Sequence, residues 1–286
     1  MKAFKGFNKD LQCRGYQFEI GKEFEEEQAT LCKKGFHACE HPLDCFNYYS
    51  PADSRYCEVD ITDNGERNSD DTKICGNKIK IVAEIGVKGL IKAAFEYTKE
   101  RCISNKIGED RTALTGGDRS ALTGGDSSAL TGGDSSALTG GNWSALTGGN
   151  WSALTGGDRS ALTGGNWSAL TGGYSSALTG GDRSALTGGD SSALTGGNWS
   201  ALTGGYRSAL TGGDSSALTG GNWSVIYGGE DAKVRGGLNS VLALQYWEND
   251  ELKDIKFKRV DGVKIKANTY YTLDSLGRFK ELKDEK

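Results

Sequence analysis

Cys32, His37, Cys39, His41 and Cys45 lie within fourteen residues of one another, and thiols and imidazoles at that density are the groups that hold zinc or build a nucleophilic cysteine. Their spacing argues against both uses. There is no Cys-x-x-Cys knuckle, and in an extended strand His37, Cys39 and His41 share one face that excludes Cys32. A zinc site would have to draw on Cys32, His37, Cys39 and His41, so the favoured reading is of structural thiols with no metal. A nucleophile at Cys39 or Cys45 lacks an identifiable third residue to orient its histidine. Glu23, Glu25, Glu26 and Glu27 surround Phe24 as a solvated loop or helix face rather than a catalytic pair. No phosphate-cradling Gly-x-x-x-x-Gly-Lys-Ser/Thr loop and no dinucleotide fingerprint occurs, so no cofactor is expected. No catalytic residue can be assigned, and the balance falls on a chain that is not an enzyme.

The bulk charge narrows the partners. Lys plus Arg number 34 against 38 for Asp plus Glu, a net charge of -4, which gives no general attraction to nucleic acid or an anionic membrane. Met1 to Asp10 lacks the apolar stretch of a signal peptide, and no run approaches the roughly 18 apolar residues that span a bilayer, so the expectation is a cytoplasmic site of action without a membrane. All seven cysteines fall by Cys102; their odd number suits reduced thiols.

What organises the chain lies downstream. Ala-Leu-Thr-Gly-Gly begins at Ala113 and returns every eight residues to Ala217, fourteen copies in all. Degenerate copies follow at Ser224 to Gly229 and Ala232 to Gly237, while Ser104 and Gly108 hint at one upstream; such decay is how repeat rods are capped. In each octad the alternation of an extended strand sends Ser and Leu to one side and Ala and Thr to the other. Leu must be inside, forming a ladder from Leu114 to Leu218, with the small Ser beside it bonded to backbone or to the next Ser. The Gly-Gly pair is expected to supply positive φ at the corner. One octad cannot enclose a leucine core, so two per coil is the simplest closure and three, a triangular prism, the alternative. Two per coil makes eight coils of residues 112–239, a rod roughly 38 Å long at about 4.8 Å per strand.

This octad resembles the octapeptide repeats of bacterial ice-nucleation proteins, and the resemblance, over residues 112–239, implies sixteen-residue β-solenoid coils with outward Thr arrays. Ice or ordered-water binding through Thr ladders is one function it implies, although the outward pair here is Ala-x-Thr rather than Thr-x-Thr. The segment carrying Lys5-Gly6-Phe7 and Gly35-Phe36-His37-Ala38-Cys39-Glu40-His41-Pro42 resembles an uncharacterised domain family of phage, prophage and bacterial proteins, and Tyr270-Tyr271-Thr272-Leu273 resembles their tail. What this implies is a phage-related intracellular context, with no activity to transfer.

Information in the repeat sits in the two variable corner residues. With two octads per coil, Trp151, Trp167 and Trp199 stack on one corner, and Trp143 and Trp223 with Tyr174 and Tyr206 on the other. Exposed aromatics of this kind serve contact surfaces, while the plainer reading lays each indole flat over a glycine corner. Arg119, Arg159, Arg183 and Arg207 share the corners with Asp, as a charged binding strip or, more plainly, a solvated and mutually compensating edge. Gly-Gly-Asp is similar to the calcium-binding nonapeptide roll, but the period is eight and many turns carry Asn or Tyr, so calcium is not an expected ligand.

The flanks read as ordinary domains. Strand alternation marks Tyr56 to Ile61 and Lys78 to Ile85, and helical signals mark a turn opened by Pro42 and the stretch Leu90 to Tyr97. Val241 to Tyr246, two strands about the Asp-Gly of Val260 to Ile265, Thr269 to Leu273 and Phe279 suggest a β-rich end. The expected architecture is therefore an α+β domain over 1–103, an octapeptide-repeat β-solenoid over 104–239 and a small β-rich cap over 240–286. The expected function is a non-enzymatic binding or assembly module that turns flat Ala/Thr faces and variable corners toward an unknown protein partner or another copy of itself. The competing expectation places an uncharacterised enzyme in the first domain, with the solenoid as its oligomerisation arm.

Overall fold

A computed structural model describes residues 1–68 and 71–282, and the chain divides into two compact units, Met1–Tyr97 and Thr98–Lys286. In the first unit the strands are β1 (Lys2–Phe7), β2 (Gln12–Cys13), β3 (Tyr16–Gln17), β4 (Glu23–Glu25), β5 (Phe36–Cys39), β6 (Arg55–Ile61), β7 (Lys73–Gly76) and β8 (Lys78–Glu84). Six of them form an antiparallel sheet in the order β4-β8-β6-β1-β5-β7, and β2 pairs with β3 as a small hairpin. Alternation decides the core. Ala3 and Phe7 of β1 join Val59 and Ile61 of β6, Ile79 and Ile81 of β8 and Phe36 and Ala38 of β5 in one buried cluster. Pro42 opens a 3-10 helix, Pro42–Asn47, its fixed φ suiting a first turn, and α1 runs from Gly86 to Glu100.

The second unit is a β-solenoid of about nine turns over residues 104–244. Each Ala-Leu-Thr strand pairs in parallel with the strand two octads later, Ala145 with Ala161 in one sheet and Ala153 with Ala169 in the other. A coil is therefore two octads, and the triangular form is excluded. The eight coils expected become about nine because degenerate octads complete the pattern: Ser104–Ile107 pairs with Ser120–Thr123, and Val225–Gly228 with the start of Val241–Glu248.

The inside is as narrow as one Leu and one Ser per octad require. From Leu122 to Leu218 every repeat leucine is at most 1% exposed, and burying a leucine stabilises by about 1.5–3 kcal/mol. Beside the leucines, serine hydroxyls donate to backbone carbonyls, and several also accept a backbone N–H. Ser184 Oγ donates to the Gly165 carbonyl at 3.2 Å and accepts the Ser168 N–H at 3.4 Å. Both partners foreseen for the inward serine, backbone and stacked Ser, are used.

The corner glycines do not take the positive φ expected of them. That conformation falls on the second variable residue, at 60° for Trp143, 57° for Arg159 and 54° for Ser175. Glycine is needed for room instead. A Cβ on Gly164 would lie 2.7 Å from Cβ of Ser168, and one on Gly165 would lie 2.3 Å from Oδ1 of Asn150, a neighbour one coil below.

The solenoid ends by turning antiparallel. Val241–Glu248 folds back on Glu251–Arg259, and Tyr270–Leu273 and Phe279–Glu281 extend the other sheet. Val260, Ile265 and Tyr271 close the leucine core at this end. Val260 to Ile265 is not the expected pair of strands. Asp261 Oδ1 accepts the N–H groups of Val263, Lys264 and Ile265 at 2.8 to 3.0 Å, which holds the segment as a loop; the hairpin turn is at Asn249 and Asp250, both at positive φ. Glu251–Arg259 is the outermost strand of its sheet, and Lys253, Lys256 and Lys258 along it blunt that edge.

Candidate functional site

Solenoid corners that begin with Asp or Asn use that side chain to serve the next coil. Asp134 Oδ1 accepts the Asn150 N–H at 2.7 Å, Asn150 accepts from Asn166 at 2.9 Å, and Asn166 from Asp182 at 2.8 Å. Asp and Asn are interchangeable here because only Oδ1 is used. The Asp residues expected in a charge-compensated edge thus act as backbone acceptors, and among the described residues no ion pair joins a corner Asp to a corner Arg.

The second variable residue projects outward from its left-handed backbone. On the corner leading into the sheet of Ala153 the column runs Arg119, Ser135, Trp151, Trp167, Arg183, Trp199, and on the other it includes Trp143, Arg159, Arg207 and Trp223, with Tyr174 and Tyr206 one position earlier. The aromatic residues fall on the two corners as the sixteen-residue period demands. Trp151 and Trp167 stack on each other, centroids 5.1 Å apart and planes 9° apart, with the Arg183 guanidinium 5.4 Å from the Trp167 ring. Arg159 lies 4.6 Å from the Trp143 ring and Arg207 4.9 Å from the Tyr206 ring. Trp143 is 60% exposed and Trp223 is 54% exposed, and among the described residues no ring or cation covers Trp223. Each outer face carries one Ala column and one Thr column in register, so the two-column Thr array that ice binding would use is absent from either face.

In the first unit the zinc candidates are not gathered: among the described residues no three His, Cys, Asp or Glu side chains group as metal ligands. His41 is buried, with Nδ1 3.6 Å from Oδ1 of Asp44, whose other oxygen accepts from the Thr72 hydroxyl and N–H. A hydrogen bond with Cys45 and complete burial push the Cys39 thiol well above its ordinary value, and burial pushes Cys57 up to about 12. Such thiols are poor nucleophiles. His37 Nε2 accepts the Cys32 N–H at 2.9 Å, and burial, followed by the charges of Lys73, Lys5 and Arg14, lowers its pKa to about 4. With that nitrogen occupied, the imidazole has no lone pair free to activate a thiol.

Sequence reasoning missed a cavity of about 540 Å³ in this unit, lined by β1, the β2–β3 hairpin, β5 and the 3-10 helix. Lys5 marks it. In β1 the core alternation reads Ala3, Lys5, Phe7, so a lysine stands where an apolar residue belongs, only 6% exposed. Its ammonium donates to the His37 carbonyl at 2.8 Å and lies 3.6 Å from Cys13 Sγ. A charge at a core position of an alternating strand is the signal by which the sequence could have shown it.

Fold and sites define a β-solenoid protein preceded by a β-rich domain with few helices. Residues 1–93 match the model of a family described as Domain of unknown function (DUF7666). No curated protein and no solved structure matches the chain. No described helix is long and apolar enough to cross a membrane.

Proposed function

We propose that the chain is a non-enzymatic binding or assembly module whose solenoid presents a flat Ala/Thr face and aromatic corners to a protein partner or to another copy of itself. The observation that carries this reading is Trp223, together with Trp143. Both hold a bulky ring in left-handed backbone, at φ 61° and 60°, a conformation that costs an L-residue roughly 1–2 kcal/mol. Ser127 and Ser175 occupy equivalent corners with φ 58° and 54°, so the turn does not need the indole. An exposed aromatic at a corner that a serine fills equally well suits a contact surface. The alanines and threonines of the strands from Ala129 to Thr211 on that sheet are exposed, which leaves a flat strip beside the corner. A phage or prophage context and a cytoplasmic site belong to the same reading.

The test replaces Trp143 and Trp223 with Ser in the full chain. The variant stays folded with stability equal to or above the parent, while self-association by sedimentation velocity, or capture of a protein partner by the immobilised chain, is lost. Binding that survives both replacements removes the corner reading.

A further inference from the structure

Several cations of the first unit have carboxylate partners within reach: Lys2 with Glu58, Lys22 with Glu19, Arg55 with Glu84, Arg67 with Asp63, Lys78 with Glu23. Among the described residues, the cavity gathers five cations that have none. Lys5, Arg14, Lys33, Lys34 and Lys73 line it against one carboxylate, Glu26, and among the described residues none of these five cations forms an ion pair. Lys5 is the decisive member. A buried ammonium is expensive to desolvate unless an anion meets it, and a carbonyl, a thiol and the rings of Phe7 and Phe18, 5.4 and 5.9 Å away, do not supply one.

The other cations converge on the same space. Lys73 Nζ lies 3.4 Å from Cys32 Sγ and 4.3 Å from the Tyr48 ring centroid. Arg14 sits at the turn of the β2–β3 hairpin, with φ 51° followed by Gly15 at 79°, and lines the cavity with Cys13 and Tyr16. Lys5, Arg14 and Lys73 all act on His37. The wall also carries the rings of Tyr16, Tyr48 and Tyr49 beside several cysteines, and Tyr16 is fixed there by edge contacts with Phe24 and Phe36 at 5.8 and 5.7 Å. Tyr48, its hydroxyl bonded to Asp71, offers a second ring at the rim.

We propose that this cavity binds a small phosphate ester with a planar aromatic body, the phosphate held by Lys5, Arg14 and Lys73 and the ring lying among Tyr16, Tyr48 and Tyr49. Several cations around one carboxylate suit a doubly charged head better than a single carboxylate, and an arginine fork matches phosphate oxygens in pairs. The volume is that of a small-molecule site, whose usual range is about 300–1,000 Å³.

Calorimetric titration of the full chain with adenosine 5′-monophosphate tests it, with adenosine and inorganic phosphate as separate probes. The nucleotide binds, inorganic phosphate binds more weakly, and adenosine does not bind. Lys73→Gln, at a side chain that the fold does not bury, weakens the nucleotide by about tenfold or more. Lys5→Met does the same while melting no lower than the parent, because an apolar side chain then fills a core position. No binding of either phosphate probe overturns the proposal. So do adenosine binding as tightly as the nucleotide, inorganic phosphate matching the nucleotide, or nucleotide affinity unchanged in Lys73→Gln.

Discussion

The Asp158 carboxylate accepts the backbone N–H of Tyr174 at 2.8 Å, but Tyr174 has no carboxylate or amide to offer Asp190 one coil further on. On the opposite corner the same ladder runs unbroken from Asp118 to Glu230. Tyr174→Asn therefore adds an acceptor and should stabilise the solenoid by about 1 kcal/mol, and Asn142→Ala, which strips the acceptor from the Asp158 N–H, should cost a similar amount. Guanidinium unfolding of the full chain reads both.

The glycine finding reverses two intuitive expectations. Gly165→Ala drives a Cβ against Asn150 and the Gly149 backbone, which cannot yield, and should destabilise by about 1–3 kcal/mol. Ser135→Gly, at φ 57°, relieves left-handed strain and should stabilise by up to about 1 kcal/mol. Were the corner glycines there for positive φ, Ser135→Gly would bring no gain; the sign of its midpoint shift decides.

How much of this was legible depends on what a residue type can mean. The leucine ladder was, because one apolar residue per octad leaves only one choice of inside; closure required more than one octad per coil and made two the simplest answer, and the parallel pairing of Ala145 with Ala161 decided against three. The role of Gly164 and Gly165 was not, because glycine answers equally to a demand for positive φ and to one for space. Strand Glu251–Arg259 escaped notice because charged residues interrupt its apolar pattern, and Asp261-Gly262 displayed a stronger turn signal than the true turn at Asn249-Asp250. The corner columns were readable as a consequence of the period, but the stacking of Trp151 on Trp167 required the coil spacing. Lys5 was visible and passed over, since its meaning depends on which face of β1 is buried.

Leu170→Ala removes a fully buried side chain from a core one leucine wide, with leucines of the coils above and below unable to close the gap. A loss of about 2–5 kcal/mol is expected. Ala177→Ser, on an exposed strand position, should change stability by less than about 0.5 kcal/mol. The two midpoints measured side by side separate core from face.

The His37 imidazole predicts an acid sensitivity for the first unit. Its folded pKa of about 4 lies below its ordinary 6.5, so folding favours the neutral ring. Stability from this source is complete above pH 6.5 and is lost as the pH falls toward 4. A tenfold change in proton affinity is worth about 1.4 kcal/mol, and since the ring is partly solvated the net loss should be on the order of 1–2 kcal/mol. Melting followed by near-ultraviolet circular dichroism between pH 7 and pH 4 should show the decline in the parent and a flatter profile in His37→Gln. Asp63, held down to about 2 by Arg67, titrates below this window.

The two-octad coil also makes length a quantity that comes in whole steps. Excising Ala145 to Ser160 joins Ser144 to Ala161 and leaves every later side chain on its own edge, in a rod one rung shorter. Excising half as much sends Trp223 to the edge that holds Trp199 and presents the terminal strands with the wrong sheets. Recombination within so repetitive a coding sequence is therefore filtered by geometry: whole rungs can be gained or lost in inheritance, while half rungs are rejected at folding.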